Sequence, residues 1–80
     1  MQGQSTPAEE DSRVESAILA MLTDQNEQRP WSQDEVAREI GDAIDTTDAL
    51  TRLHAVGLVH RLDGFVFASR AAVRSVEIAI

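Results

Sequence analysis

Eighty residues with seven arginines, no lysine, 14 carboxylates and a net charge of −7 make one domain with a modest core, which pairing with a second copy would help to bury. The chain has no cysteine, which excludes a disulfide framework, a thiol nucleophile and a cysteine-based metal site. The opening MQGQSTPAEED lacks the basic end and apolar run of a signal peptide, and no segment reaches the roughly 18 apolar residues of a membrane span, so a soluble cytoplasmic protein without a membrane partner is expected.

Residues 1–11 show no apolar periodicity and read as a mobile tail, although Thr6-Pro7-Ala8-Glu9 has the form of a capping box with proline at the first helical position. The domain proper is taken as 12–80. A second start lies at Ser12 with Glu15, after which Val14, Ala17, Ile18, Met21 and Leu22 recur at three-and-four spacing and predict an amphipathic helix ending in TDQNEQRP. Ser32-Gln33-Asp34-Glu35 is another capping box, opening a short helix whose buried face is Val36, Ala37 and Ile40 and whose stop is Gly41. Trp31, directly before the capping serine, reads as a hydrophobic staple.

A third helix is predicted from Asp45 or Thr46 to Val56, with Asp45 as its cap and Ala49, Leu50, Leu53 and Val56 on its inner side. Leu58–Leu62 and Phe65–Ala68 flank Asp63-Gly64, a dipeptide suited to a type I′ hairpin turn. In that register Leu62 faces Phe65, His60 faces Phe67, and Arg61 lies beside Val66 on the other face. Phe65 and Phe67 are expected to fill the space beneath the hairpin; an exposed Phe65 would instead mark a contact surface. Ser69 then caps a last helix carrying Ala72, Val73, Val76 and Ile80, with an edge strand over 75–80 as the alternative.

The pattern is an α+β fold, mostly helical. At EVAREIG, with Ala37 inside the second helix and Gly41 at the turn, and at LTRLHAVGLVHR, where the third helix runs into a strand, the chain resembles winged helix-turn-helix domains of bacterial transcriptional regulators over residues 12–69. The resemblance implies a two-stranded wing and DNA binding. It assigns close helix approach to Ala37, the turn to Gly41, and the passage into the wing to Gly57-Leu58-Val59. Thr47 and Thr51 would contact bases or backbone, and Arg52 and Arg61 would contact phosphates. Two features depart from the family: Asp42 stands where an apolar residue usually follows the turn glycine, and the outward face of Thr47, Asp48, Thr51 and Ala55 has no arginine at its middle.

Charge opposes the resemblance, because phosphate neutralisation supplies most DNA affinity. Residues 1–48 carry twelve acids and three arginines, net −9, while 49–80 carry two acids and four arginines, net +2. An anionic partner would therefore meet the second half. The alternative is an acidic winged helix that binds a basic protein through Asp42, Asp45 and Asp48 and does not bind DNA. Homodimerisation is compatible with both readings, with Val73, Val76, Ile78 and Ile80 at the contact and Ile18 and Met21 as contributors. Arg38, beside Glu35 and Glu39 and four residues before Asp42, is expected to be structurally paired. Neither His54 nor His60 belongs to a metal spacing, and no nucleophile motif or phosphate loop is present, so no enzyme activity, metal or cofactor is expected.

Overall fold

The computed structural model describes residues 7–24, 26 and 29–78, with side chains over 9–24, 26 and 29–75. Its elements are α1 (Pro7–Leu22), β1 (Trp31–Ser32), α2 (Gln33–Ile40), α3 (Ala43–Ala55), β2 (Val59–Leu62), β3 (Phe65–Ala68) and α4 (Arg70–Ile78). They form an α+β fold, mostly helical, whose antiparallel sheet has the order β1-β3-β2. The arrangement is compatible with the winged helix expected from the sequence.

α1 begins at Pro7, so residues 7–11 are helical and the tail read over 1–11 is shortened. Proline serves at this first position because its missing N–H has no intrahelical partner to lose; Thr6 lies outside the described residues. Ile18 and Leu22 are buried, and Val14, Leu19 and Met21 pack partly against the core. Ala17, expected on the apolar stripe, is exposed. The Thr23 hydroxyl donates to the Leu19 carbonyl at 2.6 Å, and Asp24 accepts from the Asn26 N–H at 2.9 Å, a local turn that leads the chain away from the helix.

The capping box of α2 forms as predicted: Ser32 Oγ accepts the Glu35 N–H at 3.1 Å, and Glu35 returns an acceptor to the Ser32 N–H at 2.9 Å. Gly41 closes this helix at φ 91°, a left-handed conformation that costs an L-residue roughly 1–2 kcal/mol. Asp42, not Asp45, then caps α3. Its Oδ1 accepts the Asp45 N–H at 2.9 Å, which moves the helix start to Ala43. The inner side of α3 is Thr46, Ala49, Leu50 and Leu53; Val56 is 69% exposed, because the helix ends at Ala55 and the chain turns away through Gly57.

The hairpin has the predicted register, pairing Leu62 with Phe65, Arg61 with Val66 and His60 with Phe67. Asp63 and Gly64 take φ of 52° and 82°, as a type I′ turn requires. Two residues of β1 add a third strand that the sequence reading left out, pairing Trp31 with Val66 and Ser32 with Phe65. Val59 and Val66 point into the core formed with Ile18, Leu22, Val36, Ala49, Leu50 and Leu53. Phe65 sits on the opposite face at 47% exposure, so it does not fill the space beneath the hairpin; Phe67 is half-buried. Ser69 caps α4 by accepting the Ala72 N–H at 3.2 Å, and helix continues to Ile78, displacing the edge-strand alternative for 75–78.

Candidate functional site

Alternation along the hairpin and the 3.6-residue period of α3 bring three surfaces into view. The first is the outward side of α3, where Thr47, Asp48, Thr51 and Ala55 are exposed as predicted. Asp42, Asp45 and Ile44 join them at its start, Ile44 at 75% exposure. The two threonines spend their protons on the helix itself: Thr47 donates to the Ala43 carbonyl at 2.8 Å and Thr51 to the Thr47 carbonyl at 2.9 Å. What they present outward is a methyl group and acceptor lone pairs.

Arg52 is drawn away from this surface. Its Nε donates to Glu15 at 2.7 Å, and its Nη2 lies 3.6 Å from Asp11, both on α1. The Glu15 hydrogen bond raises the Arg52 pKa above the usual arginine value, with the charges of Asp11, Glu15 and Asp48 adding to it. A cation read from the sequence as a phosphate contact is thus held by two carboxylates of another helix.

The second surface is a polar strip across the hairpin, α2 and α3. Arg61 Nη2 donates to Gln33 Oε1 at 3.1 Å, while Gln33 Nε2 donates to Thr47 Oγ1 at 3.3 Å. Gln33 also donates its backbone N–H to the Gly64 carbonyl at 3.0 Å, pinning the hairpin turn to the start of α2. Arg61 shares its sheet face with buried Val66, and its long stem carries the guanidinium out to Gln33. The strip therefore joins two of the four candidate contacts, Thr47 and Arg61; Thr51 lies one turn further along α3, and Arg52 belongs to the α1 seam. Gln33 was not singled out from sequence, because its partners lie 14 and 28 residues away.

The third surface is the outer face of the hairpin. Leu62, at 63% exposure, stands opposite Phe65, and His60 lies against Phe67 with ring centroids 5.5 Å apart. This is the exposed Phe65 that the sequence reading associated with a contact surface.

Near α2, Glu35 pairs with Arg29 at 3.2 Å, and Arg38 makes no ion pair among the described residues, contrary to expectation. The Ser32 backbone N–H, followed by Arg29, holds the Glu35 carboxyl at about 2, well below the usual range. Trp31 is half-buried against the core, and the Arg29 guanidinium lies 4.1 Å from its ring centroid. Of the residues assigned to a dimer contact, Val73 is 37% exposed, Ile18 is fully buried inside its own protomer and Met21 packs against the core. The side chains of Val76 and Ile78 and all of Ile80 lie outside the described residues.

Among the described residues no cluster of histidine and carboxylate side chains has the arrangement of a metal site. No helix among them is long and apolar enough to cross a membrane. No known protein family, characterised protein or solved structure matches this chain.

Proposed function

We propose that this chain is a winged helix used as a protein-interaction module, meeting a basic partner through the acidic outward side of α3 instead of reading DNA with it. The observation that carries this reading is the engagement of Arg52 by Glu15 and Asp11 of α1, while the exposed Asp42, Asp45 and Asp48 at and beyond the start of α3 have no ion pair of their own among the described residues. A duplex approaching that side would meet carboxylates where counterion release needs arginine or lysine. A basic segment would meet complementary charge around exposed Ile44, an arrangement that speeds encounter and sets specificity. The exposed Leu62 and Phe65 on the outer face of the hairpin offer a separate apolar contact area, in keeping with a scaffold kept while its recognition face changes.

One observation favours a second reading, a DNA-binding transcriptional regulator. The strip from Arg61 through Gln33 to Thr47 places a cation and an amide on neighbouring elements. Arginine suits phosphate, and glutamine suits the N6 and N7 edge of adenine. In that reading Thr51 is a further contact, and Arg52 must leave its α1 partners to join.

A titration of the 15N-labelled chain with a lysine- and arginine-rich peptide tests the first reading. Expected are salt-sensitive shifts centred on residues 42–51 that vanish in an Asp45→Asn, Asp48→Asn variant. Shifts spread over all exposed carboxylates, or none, would overturn it.

A further inference from the structure

The two outer strands of the sheet differ in how they meet further chain. β1 is only two residues long and follows Pro30, and both features discourage pairing on its outer side. β2 runs over Val59–Leu62 without proline or bulge, in continuous register with β3. Among the described residues no strand pairs with the outer side of β2.

The register determines which backbone groups that side offers. Leu62 and Phe65 flank a two-residue turn, so they exchange both of their hydrogen bonds. Alternation gives His60 and Phe67 the same arrangement, and the Ser69 N–H, which donates to the Leu58 carbonyl at 2.9 Å, keeps the phase. Val59 and Arg61 therefore turn their N–H and C=O groups outward, away from β3.

We propose that β2 pairs antiparallel with β2 of a second copy of this chain, joining the two three-stranded sheets into one, with His60 opposite the partner's His60 on the two-fold axis. Val59 then meets the partner's Arg61, and Arg61 meets the partner's Val59, so every outward N–H and C=O of both strands is used. A register centred on Arg61 would set the two arginines against each other. It would also carry Val59 onto the partner's Asp63, whose φ of 52° takes it out of the strand. The edge is thus complementary to itself under a two-fold rotation, which makes a second copy its occupant.

Charge permits the contact. Between Val56 and Ala68 the charged side chains are Arg61 and Asp63, which cancel, whereas the negative charge of the chain lies in residues 1–48. The Arg61 guanidinium is drawn to Gln33 at 3.1 Å, and His60 is exposed and lies against its own Phe67. The contact uses no residue of α3, so it stands independently of the proposed function, and it differs from the α4 residues expected from the sequence.

The chain has no cysteine, so a single one reports the register. His60 and the partner's His60 form a non-hydrogen-bonded pair with Cα atoms about 4.5 Å apart, within the span of a disulfide. Leu62 and the partner's Leu62 are offset by four residues, about 14 Å, beyond that span. Under mild oxidation His60→Cys is expected to become a disulfide-linked dimer, with Leu62→Cys lagging far behind. The unmodified chain should sediment as a dimer at high micromolar concentration, with the Val59 and Arg61 amides protected from hydrogen exchange. His60→Glu and His60→Lys, each with a dispersed 1H–15N spectrum showing that it folds, should sediment as monomers and lose that protection, and mixing the two should restore the dimer. A monomeric unmodified chain, equal cross-linking of the two cysteine variants, or a dimer that survives in His60→Glu would each overturn the proposal, and none of these outcomes touches the α3 reading.

Discussion

The seam between α1 and α3 and the seam between the hairpin and α2 each hold an arginine, and they treat its charge in opposite ways. Arg52 meets two carboxylates, Glu15 and Asp11, which offset its charge. Arg61 meets the neutral amide of Gln33 and keeps its charge at the surface. Two cations that look equivalent along the chain are thus distinguished only by what the fold sets beside them. The surface next to Arg52 becomes acidic, while the surface next to Arg61 stays polar with one positive end. This difference, more than the net charge, separates the protein-binding reading from the DNA-binding one.

The hairpin seam breaks most readily at its turn. Gly64→Ala must hold φ near 82° with a Cβ, at a cost of about 1–2 kcal/mol, and it should loosen the Gly64–Gln33 bond that fixes Arg61. Chemical denaturation would measure the loss, and 1H–15N spectra should show Gln33 and Arg61 shifting together. On the other side, the start of α3 depends on Asp42. Asp42→Ala should cost about 1 kcal/mol, whereas Asp45→Ala should cost less than half of that, an order which denaturation of the two variants would check.

Neutralising the α1 clamp sharpens the comparison further. An Asp11→Asn, Glu15→Gln variant releases Arg52 and makes the chain two charges less negative. It should gain weak duplex binding whose log–log salt slope rises by about 0.9 for the one added phosphate contact; fluorescence anisotropy across a salt series reads this out. The smallest expected effect is at Glu35. Its carboxyl is held at about 2 against an ordinary 4.5, so the folded state is favoured while the group is ionised. That contribution is complete above pH 4.5 and fades as pH falls towards 2. Thermal melts should therefore show Glu35→Gln less stable than the parent at neutral pH, with the gap closing over that acid range.

Much of the fold was legible because its signals are local. Ser32 and Glu35 are three residues apart, Asp63-Gly64 defines its own turn, and Ser69 caps the helix that follows it directly. What escaped depended on longer range or on choosing among equals. Asp42, Asp45 and Asp48 stand at equal spacing, and which one caps α3 is decided by how Gly41 turns the chain. β1 has only two residues and exists because Val66 and Phe65 are there to pair with it. The expectation for Arg52 failed to include its partners because Glu15 is 37 residues away. The exposed face of α3 was read correctly as to residues, since helical period determines it, but the electrostatics of that face required the neighbouring helix.

The central claim is that the α3 side does not meet nucleic acid while Arg52 is held by α1. Anisotropy of a labelled random-sequence duplex mixed with the unmodified chain at low salt tests it most directly. The account predicts no saturable rise at micromolar protein. A salt-sensitive rise that disappears in Arg61→Ala would contradict it and would establish the Arg61–Gln33–Thr47 strip as a DNA contact.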